Sequence, residues 1–164
     1  MKIRRVTANN RKKAFEVTAS RRTCAFPFGK ADPRPTAADR IARVFVDREL
    51  ADEAFTYVLE SGKEGTIHMD HVLEYNQDPR FMRDLLLYRL TLEAKKRVER
   101  SSLSRRELIR RLRTSAAQFY RLLDQTNYRK SLDQMISLLR VLDCEVELVV
   151  RGGNARDTSV VRAI

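Results

Sequence analysis

The chain has 164 residues, 43% of them apolar, enough to pack one domain or two small ones. Its 33 Lys and Arg against 22 Asp and Glu give a formal charge of +11 and a pI of about 10.2, which favours an anionic partner. The longest aliphatic run, Leu85-Leu86-Leu87, is too short for a membrane span, MKIRRVTANNRKK lacks a secretory apolar core, and two isolated cysteines read as reduced thiols, so a soluble cytoplasmic protein is expected.

The first half alternates with period two in short stretches. In RKKAFEVTAS, Ala14, Glu16 and Thr18 take one parity and Phe15 and Val17 the other. IARVFVDRE and EAFTYVLE have the β-branched and aromatic content of strands, and SGKEG (61–65) is a hairpin turn. Residues 29–39, with two prolines, read as a loop. Four to six strands in one antiparallel sheet are expected, with a short helix near 70–75 and no internal repeat. The stretch FVDRELADEAFTYVLESGKEGTIHMDHVLEY, within residues 1–77, resembles a small β-rich prokaryotic family known as a domain of unknown function. In that family strands end in a short Asp-Gly turn, followed by x-Val-Asp-Leu and a Leu-containing helical turn; Ser61-Gly62 stands at that turn here. The resemblance implies a fold and no activity.

The second half switches to helical spacing. Asp78-Pro79 starts a helix, with Asp as N-cap and Pro at the first helical position. Phe81, Met82, Leu85, Leu86, Tyr88 and Leu90 follow on one face, and the helix, or two joined near Thr91, runs to Arg100. Three capped starts come next: Ser104-x-x-Glu107 with Leu103 and Leu108 as a hydrophobic staple, Ser115-x-x-Gln118 before Phe119, and Ser131-x-x-Gln134. Leu132, Met135, Ile136, Leu139 and Leu142 form the last apolar stripe, and residues 144–150 return to β-type composition. The expected fold class is α+β: a small antiparallel β-rich domain over 1–78, an all-α domain over 79–151 and a flexible tail over 152–164. Charge divides unevenly, with a net of +3 over residues 1–80 and +8 over 81–164. Between Arg89 and Lys130 stand 13 basic residues and 4 acidic ones, the footprint of a polyanion site on a helix pair.

Periodicity assigns roles on the helix that opens at Ser115. Phe119, Leu122 and Leu123 fall on its buried face, leaving Ala116, Ala117, Tyr120 and Arg121 outside. Two alanines let a backbone approach a groove floor, and Arg121 can reach guanine O6 and N7 with both guanidinium nitrogens. Gln118 is divided between returning to Ser115 and reaching a base. The N–H groups at the helix starts after Ser104 and Ser115 suit phosphate oxygens.

The order of capped helices over 91–142 resembles the lambda-repressor-like helix-turn-helix of the Xre type. LSRRELIRRL is similar to the scaffold helix L-S-Q-x-E-L-A-x-x-L, TSAAQFYRLLD to the recognition helix, and SLDQMISLLRVLDCEVEL to the helix that follows. The resemblance implies double-stranded DNA as partner, base reading by Ala116, Ala117, Gln118, Tyr120 and Arg121, and phosphate contacts from Arg105, Ser115, Tyr128, Arg129 and Lys130. Two departures stand out. Ile109 replaces a small Ala of the scaffold helix, which calls for looser or differently angled packing. Arg113 replaces the Gly after that helix, which can place a side-chain-bearing residue at positive φ at a cost of roughly 1 kcal/mol.

His68 and His71, with Glu74 behind, straddle a strand–helix boundary and lack the four recognised ligands of a closed zinc site. No Gly-rich phosphate loop or G-x-S-x-G elbow is present, so neither a metal, a cofactor nor an enzyme is expected. Two functions remain. The first is a sequence-specific DNA-binding regulator, with an antitoxin-type autoregulator as one form, its β-rich half open to a protein partner. It would act as a homodimer through FMRDLLLY or the N-terminal sheet edge. The second is a basic protein-interaction or RNA-associated adaptor.

Overall fold

A computed structural model of the chain describes residues 1–152 and 158–162, which divide into two compact units, Met1–Met82 and Arg83–Ile164.

The first unit contains β1 (Ile3–Asn9), β2 (Ala14–Ala19), β3 (Arg22–Pro27), β4 (Ile41–Asp47), β5 (Ala54–Leu59) and β6 (Glu64–His68). They form two antiparallel sheets, β1-β2-β3 and β4-β5-β6, where the sequence led us to expect one. A connection of more than a dozen residues, carrying Pro33 and Pro35, separates β3 from β4 and ends the first meander. The turn at Gly62 (φ 84°) joins β5 to β6 where the sequence placed it.

The two sheets repeat one plan. Register shifts occur between Ile3 and Arg5 in the first and between Ile41 and Arg43 in the second. Asn9 and Asp47 end the first strand of each sheet. The side-chain oxygen of each accepts a backbone N–H from the turn, of Lys12 and Glu49 respectively. Asn9 also bonds Glu16 and Asp47 bonds Thr56, each on the next strand. Ala-Phe opens both β2 and β5, and the chain leaves each third strand at Phe28 or Met69, whose N–H groups donate to the carbonyls of Lys13 and Glu53. The first copy then makes a single 3-10 turn (Phe28–Lys30), and the second makes a full helix, α1 (Met69–Tyr75). The sequence showed no repeat because the shared features are registers and turn bonds; most side chains between them differ.

The inner faces meet in one core. The Phe15 ring lies 4.8 Å from Phe28, 5.0 Å from Phe55 and 5.0 Å from Tyr57, with Val17, Leu59, Ile67, Met69 and Val72 around them. Gly65 is required here, because any Cβ at that position would collide with the Tyr57 hydroxyl and the Asp32 carbonyl. The Tyr57 hydroxyl donates to the Pro33 carbonyl at 2.6 Å, and burial raises its pKa to about 12.

α2 (Pro79–Arg100) starts as its sequence indicates, with Asp78 Oδ1 accepting the N–H groups of Arg80 and Phe81. It runs unbroken through the buried Thr91, whose hydroxyl donates to the Leu87 carbonyl. Phe81 packs on the first unit's core, and that unit ends at Met82.

The second unit continues with α3 (Arg105–Arg111), α4 (Ala116–Leu123) and α5 (Leu132–Val141). Leu87, Ala94 and Val98 from α2 meet Leu108, Phe119, Leu122, Met135, Leu138 and Leu139 in its core. The α5 stripe differs from the periodicity in one place: Leu138 is buried and Ile136 exposed. The expectation of an all-α C-terminal half is overturned. β7 (Glu147–Arg151) and β8 (Thr158–Arg162) form an antiparallel hairpin, setting Leu148 opposite Val161 and Val149 opposite Val160. β8 lies inside the stretch read as a tail, because five residues are too few for periodicity to register; residues 153–157 and 163–164 of that stretch lie outside the described residues. Among the described residues no helix is long and apolar enough to cross a membrane.

Candidate nucleic-acid interface

The capping pattern fixes where α3 and α4 begin. Ser104 Oγ accepts the Glu107 N–H and Ser115 Oγ accepts the Gln118 N–H. Neither return bond forms, since Glu107 is drawn to arginines and Gln118 makes no such bond among the described residues. At α5 the return is made, the Ser131 N–H donating to Gln134 Oε1 at 3.0 Å. Leu103 and the fully buried Leu108 pack on the same core, as a staple requires.

α3 ends in a Schellman motif. The Arg113 N–H donates to the Arg110 carbonyl and the Thr114 N–H to the Ile109 carbonyl. Arg113 takes φ 51°, the left-handed position that Gly fills in the family the sequence resembles. The same closure ends α1 at Gln77 (φ 50°) and α5 at Asp143 (φ 56°), so this chain closes three helices without glycine. Ile109 is half-buried against the core, which accommodates the larger side chain beside α3.

α4 turns its sides as the sequence predicts. Phe119 and Leu122 are buried and Leu123 half-buried, while Ala116, Ala117, Tyr120 and Arg121 are exposed and occupy the opposite arc. Gln118 is half-buried at the edge between them. Ser115 is exposed; its oxygen is engaged as cap, which leaves its hydroxyl proton available for donation.

The loop after α4 sorts its residues by bonding. Asp124 Oδ1 accepts from the Thr126 N–H and hydroxyl, and Asn127 Nδ2 reaches back to the Arg121 carbonyl. Tyr128 and Arg129 face solvent. Lys130 does not. It is 5% exposed, and its Nζ donates to the carbonyls of Leu122 at 3.0 Å and Asp124 at 2.6 Å. Its assignment as a phosphate contact is therefore corrected: the ammonium satisfies the open carbonyls at the end of α4, where a positive charge also suits the helix dipole. Burial lowers its pKa, against the opposing pull of Asp124.

Ion pairing divides the arginines into two groups. Glu107 accepts from Arg110 Nη2 at 2.6 Å and from Arg111 Nε at 2.9 Å, and these bonds pull its pKa down to about 2. Glu93 is held in the same way by Arg97, with Lys96 at 4.0 Å. Arg105, Arg106, Arg113, Arg121 and Arg129 are exposed and have no carboxylate partner among the described residues. They sit at the start of α3, in the turn to α4, on α4 and in the loop beyond it. Arg106 and Arg113 were given no DNA contact by the motif match; their signal in the sequence is position, one in the first turn after the Ser104 cap and one in the four-residue link between α3 and α4.

The two histidines belong to the first unit. His68 caps α1, His71 lies in its first turn, and their rings are 6.5 Å apart. Compared with models of known protein families, with curated proteins and with solved structures, the chain matches none of them.

Proposed function

We propose that the second unit binds duplex DNA through α3 and α4 as a helix-turn-helix, and that the protein is a sequence-specific transcriptional regulator. The observation that carries this reading is the outward arc of α4. Two alanines, a tyrosine and an arginine face solvent there, flanked by four further arginines that no carboxylate neutralises among the described residues. An arc with alanine at its first two positions admits close approach to base edges, and unpaired guanidinium groups around it suit phosphate. Arg121 reads a base, with Ala116, Ala117 and Tyr120 against the groove. Arg105, Arg106, Arg113 and Arg129, with Tyr128 and the Ser115 hydroxyl, hold the backbone. The β-rich unit is left to bind a protein partner, as an antitoxin-type autoregulator would require.

Selection of preferred duplexes from a random pool, followed by fluorescence anisotropy against scrambled duplexes, tests this. A regulator binds selected duplex roughly 10³-fold or more tighter than scrambled, with an affinity that falls steeply with salt. Equal binding to both, or a preference for RNA, would favour the adaptor reading.

A further inference from the structure

The β7–β8 hairpin does not belong to the second unit's core. Leu148, Val149, Val150, Val160 and Val161 are 43 to 55% exposed, and none of them joins the core cluster. Leu148, Val150 and Val161 lie on one face of the two-stranded sheet and Val149 and Val160 on the other, so neither face is covered. An isolated hairpin of this kind is marginal in water, and an apolar edge strand is a template for another chain.

The sequence of β7 says which chain. It reads Glu-Leu-Val-Val-Arg, with charges of opposite sign at its two ends. Two copies paired antiparallel about Val149 set Glu147 opposite Arg151 of the second copy, twice, and Leu148 opposite Val150. Val149 then meets its own counterpart on the two-fold axis. A parallel in-register pairing would set Glu on Glu and Arg on Arg. The outer edge of β8 lacks this complementarity, since pairing about Val160 sets Thr158 opposite Arg162.

We infer that the protein is a homodimer joined along the outer edge of β7, the two hairpins forming a four-stranded antiparallel sheet in the order β8-β7-β7-β8. Such an interface is isologous, as a two-fold dimer requires. Leu148, Val150 and Val161 from both copies form one continuous aliphatic strip across the new sheet, a gain of cross-strand pairs that neither hairpin has alone. Leu86 and Tyr88, exposed on α2, offer apolar side chains but no unpaired strand edge. The inference does not rest on DNA binding.

The test is sedimentation of the full chain without DNA at micromolar concentration. The wild type should be dimeric. Arg151→Glu sets a carboxylate opposite Glu147 twice and should weaken the dimer roughly tenfold. Adding Glu147→Arg to that variant restores both pairs and should restore the dimer, although the introduced guanidinium then stands opposite Arg162 within its own hairpin. Val149→Cys, with Cys24 and Cys144 changed to Ser, should form a disulfide-linked dimer on mild oxidation, because residues paired across an antiparallel two-fold have Cα atoms within disulfide range. A monomeric wild type, a dimer indifferent to Arg151→Glu, no rescue by the double exchange, or no Val149→Cys cross-link would each overturn the proposed pairing.

Discussion

The two units carry similar numbers of basic residues and deploy them differently. Residues 1–80 hold 15 Lys and Arg against 12 Asp and Glu; residues 81–164 hold 18 against 10. In the first unit a few carboxylates answer cations, as Glu16 does for Lys12, Glu53 for the N-terminus and Asp78 for Arg22, while exposed arginines without such a partner among the described residues, Arg4, Arg11, Arg21, Arg43 and Arg48 among them, are spread over several strands and turns. In the second, Glu107 and Glu93 each engage two cations and are fully committed, while the arginines around α4 are left with none among the described residues. What sets the second unit apart is that its unanswered arginines gather on α3, α4 and the segments joining them, and that gathering is what supports the proposed polyanion site.

The largest test of that division is mechanical. Phe15→Ala and Phe119→Ala each empty a fully buried site and should cost about 3–5 kcal/mol, each in its own unit. Residues 79–164 expressed alone should still melt cooperatively with strong helical circular dichroism, and Phe15→Ala in the full chain should leave DNA binding intact. A single merged loss of fold and binding would erase the distinction between the units. The same contrast can be drawn with pH. Tyr57 titrates at about 12 in the folded unit against its ordinary 10, so the folded state holds the proton more tightly. Its contribution is complete below pH 10 and lost as pH rises toward 12. The β-rich unit should therefore unfold in alkali with a tyrosinate absorbance change tied to the transition.

Lys130 and Arg129 sharpen the comparison within two adjacent residues. Lys130→Met takes the donor from the Leu122 carbonyl and leaves the Asp124 carbonyl only the longer bond from the Asn127 N–H, and should lower the second unit's stability by about 1–3 kcal/mol. It should leave the salt dependence of DNA binding unchanged under conditions where the unit remains folded. Arg129→Ala should do the reverse, keeping stability within about 0.5 kcal/mol and flattening the slope of log K against log salt by about 1. Denaturant melts and anisotropy at several salt concentrations separate the two.

These neighbours also show what a sequence discloses. Helix starts were legible because capping is local: Asp78, Ser104, Ser115 and Ser131 all stand where the pattern put them. The outward arc of α4 was legible from the spacing of Phe119 and Leu122. That Lys130 turns inward was not, since it depends on where the Leu122 and Asp124 carbonyls lie in space. The repeat of the two sheets was hidden for a similar reason, residing in turn bonds made by different side chains, Asn9 with Glu16 and Asp47 with Thr56. β8 was hidden by its brevity and by the two glycines ahead of it.

Arg121→Ala moves the comparison to reading against holding. It should cost about 1–3 kcal/mol on the selected duplex, relax preference at one base pair and change scrambled-duplex binding less. Equal loss on both duplexes would remove α4 as the reading helix.

The smallest expected effect concerns Arg113, where fold and function pull in opposite directions. At φ 51° an arginine is strained by about 1–2 kcal/mol relative to glycine. Glycine returns roughly 0.5–1 kcal/mol of that as added freedom in the unfolded chain. Arg113→Gly should therefore raise the second unit's stability by on the order of 0.5 kcal/mol, a shift of a few degrees in Tm. If the side chain is there for phosphate, the same variant should lose affinity for selected and scrambled DNA alike and flatten the salt slope by about 1. Arg113→Asn supplies the control, since asparagine tolerates the left-handed conformation without supplying charge. Loss of binding in both variants, with stability kept or raised, assigns the arginine to DNA. Unchanged binding in both would make Arg113 a strained residue without a phosphate to hold, and would reduce the proposed backbone contacts to Arg105, Arg106, Arg129, Tyr128 and Ser115.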